Sequence, residues 1–394
     1  MTSAVPRRGG GEKSAPPPLL TVLREWGRIG CIGFGGPPTH IRLLRALCVE
    51  RRRWMDPTEF EDAIATCNLL PGPASTQLAI YCAWRVRGRR GALVGGGAFI
   101  IPGLILILAL AALFLAGSPP KWVLGAGAGA GAAVAAVAAQ AGTSLIPSSW
   151  SRRHQTVRWT VYLVAGGIAA ATMGPWLVFV LLGCGLIELT TRHPSPPGHS
   201  RGVMPLPLLG AGAAGGSVVL TLCWVALKVG ALSYGGGFVI IPLMQADAAN
   251  RYHWMSAGRF LNAVALGQIT PGPVVQTVAV VGYAAAGLGG GLLASAVAFA
   301  PSFAFILLGA GRFDRIRGDH RARAFLDGAG PAAIGAILGS AIPLARALTQ
   351  PWQYAVLAAA ALLLLPLRRG VVPTLLLAGL AGTVIAVAGG PLPH

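Results

Sequence analysis

The chain contains two copies of one sequence segment. Residues 28–93 and 228–293 align without a gap, and both copies carry an aromatic-Gly-Gly motif and a Pro-Gly-Pro motif within apolar sequence, where glycine and proline interrupt helices. Helix interruptions at corresponding positions of two membrane repeats are the best sequence indication of a transport site. The identical pairs include Gly30/Gly230, Gly35/Gly235, Gly36/Gly236, Arg51/Arg251, Trp54/Trp254, Phe60/Phe260, Pro71/Pro271, Gly72/Gly272 and Pro73/Pro273.

The composition indicates a membrane protein. Of the 394 residues, 54% are hydrophobic and 11% are charged, whereas soluble domains carry about 25% charged residues. Apolar runs such as 91–116 and 371–388 have the length that spans a bilayer, which is about 20 residues. We therefore expect a multi-pass membrane protein, surrounded by lipid.

The positive charge is best explained by topology. The net charge of +19 comes from residues between apolar segments, where arginine orients loops toward the cytoplasm, so we expect no nucleic-acid partner. The six cysteines form no Cys-x-x-Cys pair, and their apolar surroundings predict small buried side chains rather than a disulfide or a metal site. We expect no metal and no cofactor.

Two arginine clusters, in 42–53 and 85–90, flank the first Pro-Gly-Pro motif. Because both favour the cytoplasm, residues 60–84 should enter and leave the membrane on one side, with Leu70–Pro73 at the tip of a re-entrant hairpin. The same reasoning folds residues 19–48 about the first Gly-Gly motif. Non-helical backbone at membrane depth must be buried in protein or line a watery cavity.

The second copy places its charges differently. Residues 285–290, which correspond to the first arginine loop, are uncharged, and the arginines instead follow the next apolar segment, 292–310. This exchange is typical of repeats inserted in opposite orientations. Whether the interruptions are re-entrant or separate full crossings, and whether 204–218 crosses fully, stays open at this level.

The predicted fold is an all-α polytopic membrane protein with two inverted-topology repeats. Each repeat has two broken or re-entrant helical hairpins followed by transmembrane helices. The predicted organisation is a disordered N-terminal tail (1–18), an N-terminal transporter repeat (19–190), a basic linker with a connecting helix (191–218) and a C-terminal transporter repeat (219–390).

Four motifs in order resemble the two-domain form of the chromate ion transporter family. They are Phe34-Gly-Gly-Pro37, Leu69-Leu-Pro-Gly-Pro-Ala-Ser-Thr-Gln77, Tyr234-Gly-Gly-Gly-Phe-Val-Ile-Ile-Pro242 and Gly267-Gln-Ile-Thr-Pro-Gly-Pro273. The resemblance covers roughly residues 20–390. It implies a multi-pass protein of the bacterial cytoplasmic (inner) membrane that exports chromate from the cytoplasm, with sulfate as the look-alike substrate. One departure is Asn250-Arg-Tyr-His-Trp254, where the first copy has Glu50-Arg-Arg-Arg-Trp54.

A tetrahedral dianion within the membrane needs donors in place of its hydration water. Helices that restart after the interruptions present free N–H groups and a positive dipole end, and glycine lets the backbone approach an ion closely. We therefore assign to substrate binding the glycines of both motifs, which are Gly35, Gly36, Gly72, Gly235, Gly236 and Gly272.

Polar side chains surround both Pro-Gly-Pro motifs and form a second group of candidate ligands. The alternative is that they cap helices or satisfy backbone groups freed by the interruptions. The candidates are Asn68, Ser75, Thr76, Gln77, Gln268, Thr270, Gln276 and Thr277.

Two cations and one histidine complete the predicted site. Arg28 and Lys228 occupy corresponding positions six residues before the Gly-Gly motifs, and an intramembrane charge indicates function by default. The alternative for both is snorkelling to the interface. His40 could bind the anion, although a hydrogen bond to the backbone explains it better. Acids that could couple transport to protons are few, Asp247 among them.

Three other functions are compatible with parts of this pattern. A transporter of sulfate or another small oxyanion would use the same chemistry, and a channel or flippase could use the same inverted repeat. A membrane-embedded lipid-modifying enzyme belongs to a different class, and the apolar segments lack the clustered histidines or paired aspartates that such an enzyme uses. We therefore predict no catalytic residue. A homodimer is compatible with the sequence, which does not determine the oligomeric state.

Overall fold

The computed structural model describes residues 16–68, 70–116, 119–151, 153, 155–172, 177–192, 217–233, 239–312 and 320–393. No residue in these ranges lies in a β-strand, which agrees with the predicted all-α fold. Gly235, Gly236, residues 1–15 of the predicted tail and nearly all of the linker at 191–218 lie outside the described residues. The predicted boundaries of the two repeats stay predictions.

The first repeat contains eight described helices. A π-helical turn (Ala46–Arg51) extends the second of them. In chain order the helices are α1 (Leu19–Ile32), α2 (Pro37–Arg45), α3 (Pro57–Cys67), α4 (Ala74–Phe114), α5 (Lys121–Ala132), α6 (Val134–Ser151), α7 (Thr156–Thr172) and α8 (Leu177–Arg192).

The second repeat follows the same order. A π-helical turn (Ala246–Arg251) again extends its second helix, and a 3₁₀ turn (Val274–Gln276) precedes its fourth. The helices are α9 (Val218–Leu232), α10 (Ile240–Gln245), α11 (Ala257–Ile269), α12 (Thr277–Gly309), α13 (His320–Arg346), α14 (Pro351–Leu364) and α15 (Val371–Val387). Helix α13 occupies the place of α5 and α6 together.

The interruptions occur where glycine and proline predict them. Helix α1 ends before the first Gly-Gly motif, where Gly35 and Gly36 have φ of +93° and +73°. Helix α3 ends at Cys67 and α4 begins at Ala74, so the first Pro-Gly-Pro motif is a non-helical tip. Gly72 and Gly272 have φ of +120° and +104°, a conformation that residues with a Cβ rarely adopt.

Both long helices bend beyond these tips. Helix α4 bends at Arg87–Gly88 and α12 at Ala286–Gly287, and both glycines have φ of +63°. The first arm of α4, before the bend, forms the returning half of the hairpin. The second arm, after the bend, continues to Phe114 and is long enough to cross a bilayer.

The bends also correct the alignment of the two copies. Gly287 and Pro301 correspond to Gly88 and Pro102. The separation along the sequence within each of these pairs is one residue shorter than the separation between the two Pro-Gly-Pro motifs. The expectation of a gapless alignment is therefore wrong after those motifs. The second copy has one residue fewer there, and the 3₁₀ turn takes up the difference. In the corrected register Gln276 corresponds to Gln77.

Four described helical segments are long and apolar enough to cross a membrane. Shorter apolar helices are α9, α14 and α15, and many large side chains on the outside of the long helices are exposed and apolar, as lipid contact requires. The protein is an all-α polytopic membrane protein. The four segments are Ala74–Phe114, Lys121–Ser151, Val274–Gly309 and Arg323–Arg346.

The repeats are interleaved through small residues. Helix α5 packs along α15, while α13 packs along α7 and α8, and α4 lies against α12. In these contacts the backbones of the two helices approach each other closely. A Cβ added at Gly166 would lie 1.9 Å from the carbonyl oxygen of Ala332. Glycine and alanine allow this approach between membrane helices. Helices of one repeat therefore complete the packing of the other.

Candidate functional site

The first tip (Pro71–Pro73) packs against the second repeat. A Cβ added at Gly72 would lie 2.6 Å from Nε2 of Gln77, 3.2 Å from Oγ of Ser302 on α12 and 3.4 Å from the carbonyl oxygen of Gly230 on α9. Glycine is therefore needed here for its backbone conformation, and a Cβ would also displace the Gln77 side chain.

The second tip (Pro271–Pro273) packs against the first repeat in the corresponding way. The amide of Gly272 donates a 3.1 Å hydrogen bond to the carbonyl oxygen of Gly33. A Cβ added at Gly103 on α4 would lie 2.1 Å from the carbonyl oxygen of Pro271. Gly103 follows Pro102 as Ser302 follows Pro301, so the two tips contact corresponding points of opposite repeats.

His40 connects the two tips. Its buried ring donates from Nε2 to the carbonyl oxygen of Gly33 at 2.9 Å, because a carbonyl can only accept. In the neutral ring, Nδ1 then accepts from the hydroxyl of Ser75 at 3.2 Å. Phe99 packs edge-on to the ring, with centroids 5.0 Å apart. Both ring nitrogens are thus engaged within the protein.

Four of the predicted polar ligands donate to backbone carbonyls. Nε2 of Gln77 binds the oxygen of Pro71 at 2.7 Å, and Nε2 of Gln276 binds the oxygen of Ile100 at 2.7 Å. The hydroxyls of Thr270 and Thr277 donate to carbonyls of their own helical turns. These contacts match the alternative in which such side chains satisfy backbone groups freed by the interruptions.

Other polar atoms at the interruptions are buried without a partner in the described part of the chain. Such atoms carry a penalty of about 1–3 kcal/mol each unless water or a ligand satisfies them. Oε1 of Gln77 and Oε1 of Gln276 are unpartnered acceptors. The unpartnered groups that can donate are Thr76 Oγ1, Gln268 Nε2, Ser233 Oγ and Ser302 Oγ.

Sequence reasoning missed two of these donors. Ser233 directly precedes the second aromatic-Gly-Gly motif, and Ser302 follows a proline inside an apolar run. The feature that could have identified both donors is a hydroxyl next to a glycine motif or a proline within apolar sequence. The contact of Ser302 with the first tip depends on packing between repeats, which no local pattern reveals.

A cavity of about 230 Å³ opens beside the first tip. The exposed Asn68, Gly72 and the first residue of α4 line it from the hairpin, Ser148 and Ser149 line it from α6, and apolar residues of α13 close it. Since a water molecule occupies about 30 Å³ in the liquid, a small oxyanion with part of its hydration shell fits this space.

The helix N-termini differ in the donors that they offer. At α4 the first two amides, of Ala74 and Ser75, have no intrahelical acceptor, whereas the amide of Thr76 already binds the oxygen of Pro73. Helix α2 begins with two prolines, which have no N–H, and its next amide binds the oxygen of Gly36. The free amides expected after Gly36 are therefore not available.

The two predicted cations occupy unlike surroundings. Arg28 is exposed on α1, as snorkelling requires. Lys228 is largely buried, with its side chain 11% exposed and its Nζ 2.5 Å from Oδ2 of Asp247. The first repeat has Leu47 at the position of Asp247, so it lacks the corresponding ion pair. Asp247 therefore balances the charge of Lys228.

Nothing in the described residues suggests a metal centre. No group of three or more His, Cys, Asp or Glu side chains there is arranged to hold an ion. All six cysteines lie in the described ranges as free thiols.

Comparison with known proteins identifies the family. The model of the chromate transporter family matches residues 20–189 and 220–385. The chromate transport protein of Cupriavidus metallidurans is 32% identical over 342 residues, which cover 83% of each chain. That of Pseudomonas aeruginosa is 28% identical over 358 residues, covering 85% of this chain and 83% of the relative.

An archaeal relative extends the comparison. An uncharacterized transporter of Methanocaldococcus jannaschii is 26% identical over 325 residues, covering 78% of this chain and 79% of the relative. No solved structure matches the chain. The bacterial relatives and the apolar helices together indicate a multi-pass protein of the inner membrane. The chain belongs to the chromate transporter family.

Proposed function

We propose that this protein exports chromate from the cytoplasm and binds the dianion between its two Pro-Gly-Pro tips. Sulfate or another small tetrahedral oxyanion is the alternative cargo, because it offers the same charge and the same arrangement of acceptor oxygens. The names of two relatives, both chromate transport proteins, favour chromate.

The observation that carries the proposal is the set of buried donors without acceptors. An oxyanion has only acceptor oxygens, so it satisfies hydroxyl and amide donors and leaves unpaired carbonyls unsatisfied. Thr76 and Gln268 supply such donors from the two hairpins, and Ser302 supplies one against the first tip. Free amides at the start of α4 add the positive end of a helix dipole.

The direction follows from the charge of the cargo. A dianion that leaves an inside-negative cell gains about 2.3 kcal/mol per charge for each 100 mV of membrane potential. Uptake would have to overcome the same energy and would need strong coupling to cations. With 12 acidic residues in the whole chain, groups that could bind coupling cations are scarce, which favours export.

Transport by proteoliposomes with an imposed potential tests the proposal. Replacing a buried donor removes one hydrogen bond to a charged group, which is worth about 1.5–3 kcal/mol. We therefore expect Thr76→Val and Gln268→Leu each to weaken the apparent affinity for chromate by about 10- to 100-fold. Counterflow with sulfate shows whether both anions use the site.

The matched control is Thr143→Val. The hydroxyl of Thr143 is exposed and bonds only to its own helix, α6, so this variant should transport as the parent protein does. Unchanged chromate affinity in both Thr76→Val and Gln268→Leu would place the binding site elsewhere. Transport that ignores the sign of the potential would contradict potential-driven export.

A further inference from the structure

Lys228 and Asp247 form a buried ion pair in the second repeat. Lys228 lies on α9 and Asp247 in the π-helical turn after α10, and their side chains are 11% and 2% exposed. The other carboxylate oxygen of Asp247, Oδ1, is buried and has no partner among the residues that the structure describes. Two opposite charges are thus held away from water, with one acceptor position vacant.

Lys228 lies on the helix that contacts the first tip. Lys228 is two residues before Gly230, whose carbonyl oxygen faces Gly72 at the first tip. Three residues beyond Gly230 is Ser233, one of the unpartnered donors. The last turns of α9 therefore place Lys228 and Ser233 within about one helical turn, along the helix axis, of the residue that faces the first tip.

The surroundings of Asp247 leave Lys228 as its ion-pair partner. On its own turn, the amide of Tyr252 donates to the backbone oxygen of Asp247, and the exposed Arg251 stacks over the Tyr252 ring. Helix α11, which contacts this turn, carries Arg259 in its first turn.

The other elements packed around the pair contribute apolar groups. Helix α13 meets the start of α10 through Ala333 and Ala336, and α12 meets α9 where Ala298 contacts Gly230. The described residues in these contacts include no second cation that could replace Lys228. An unpaired Asp247 carboxylate would therefore be a buried charge without compensation.

We propose that Asp247 takes up a proton when the oxyanion engages Lys228, so that each dianion crosses the membrane together with one proton. This inference rests on the proposed function and adds the coupling ion. The proton comes from water on the side where the anion enters. It returns to water on the side where the anion leaves, as Lys228 pairs with Asp247 again.

The physical reason is competition for one cation. A dianion near Lys228 weakens the pair with Asp247, and two uncompensated negative groups in a buried site repel each other. Protonation removes the charge of Asp247, and the vacant Oδ1 can carry the proton. Net movement is then one negative charge per cycle, so the membrane potential still drives export.

Proton uptake on binding tests this directly. Purified protein in weakly buffered detergent solution is titrated with chromate, well above the pH at which chromate itself takes up a proton, and the pH change is recorded. We expect about one proton to be taken up per anion bound. The apparent affinity for chromate should then fall about tenfold for each unit by which the pH rises, as linkage to one proton requires. Binding without proton uptake in the parent protein would overturn the inference.

Asp247→Asn identifies the group that takes the proton. Its amide cannot be protonated at these pH values and leaves Lys228 free, so we expect chromate binding without proton uptake and without the pH dependence. Glu61→Gln changes an exposed acid that pairs with Arg45 and should keep the parent stoichiometry. Full proton uptake by Asp247→Asn would refute the role of Asp247.

The two proposals fail in different ways. If the parent protein binds no oxyanion at all, the proposed function fails. If it binds chromate and the proton count is zero, only the coupling fails. The measurement on the parent protein decides this even if Asp247→Asn does not fold.

Discussion

The amide of Gly272 donates a 3.1 Å hydrogen bond to the carbonyl oxygen of Gly33, which joins the second tip to the first Gly-Gly motif. The same oxygen accepts from His40, whose other ring nitrogen accepts from Ser75 beside the first tip. Both interrupted regions therefore meet in one hydrogen-bonded chain. A movement of one repeat against the other must stretch or break these hydrogen bonds.

His40→Ala tests this connection. The change leaves Gly33 with one donor fewer and Ser75 without its acceptor, and buried groups that lose a partner cost about 1–3 kcal/mol each. We expect a lower thermal unfolding temperature in detergent and reduced chromate transport. His320→Ala, at an exposed histidine, is the control and should leave both unchanged. If His40→Ala keeps the parent stability, the network does not hold the tips together.

The tip glycines provide a second test. Gly72→Ala and Gly272→Ala place a Cβ on backbones with φ of +120° and +104°, and at Gly72 also within 2.6 Å of Nε2 of Gln77. Left-handed backbone costs such residues about 1–2 kcal/mol, so the tips should shift and transport should fall strongly while the protein remains in the membrane.

Gly97→Ala is the matched control for the tips. Gly97 lies on α4, where an added Cβ meets only the end of the Ile101 side chain at 3.9 Å. This variant should transport normally. Normal transport by Gly72→Ala as well would show that the tips separate the helices and that their backbone conformation is not needed for transport.

The sequence predicted the interruptions because their cause is local. Glycine permits positive φ and proline lacks an N–H, so the triplets Pro71–Pro73 and Pro271–Pro273 oppose helix continuation through their own chemistry. Lys228 was predicted to matter from its apolar neighbours alone. Its pairing with Asp247, however, joins different elements, and the contact of Ser302 with Gly72 joins different repeats.

The alignment of the second copy with the first is another feature that the sequence did not predict. Identical residues continue beyond both Pro-Gly-Pro motifs, so sequence alone supports the gapless alignment. The positions of the bends at Gly88 and Gly287, together with the prolines that follow them inside each helix, reveal the missing residue. Local chemistry therefore predicts where the site lies, whereas packing between the repeats decides which side chains form it.

The orientation of the repeats is tested by labelling at the two bends. Arg89 and Gly289 are exposed just after them, and inverted repeats place them on opposite sides of the membrane. In a cysteine-free background, an impermeant maleimide added to intact cells should label Gly289→Cys. It should label Arg89→Cys only after permeabilisation, because arginine favours the cytoplasm. Labelling of both positions from one side would contradict inverted topology.

The ion pair of Lys228 with Asp247 predicts a pattern of stabilities. Lys228→Met leaves Asp247 buried without its partner, which should cost about 3–5 kcal/mol of folding stability. Lys228→Met with Asp247→Leu replaces both charges by apolar groups, and such replacements are often neutral or stabilising. We expect the single variant to unfold at a lower temperature in detergent and the double variant to recover.

Transport should not recover with stability, because the double variant folds without the cation proposed to meet the anion. Lys121→Met, at an exposed position that begins α5, is the control and should stay within about 0.5 kcal/mol of the parent and transport chromate normally. A single variant as stable as the parent would mean that the two charges are not paired in a buried site. A double variant that transports chromate at the parent rate would show that hydroxyl and backbone groups bind the anion without Lys228.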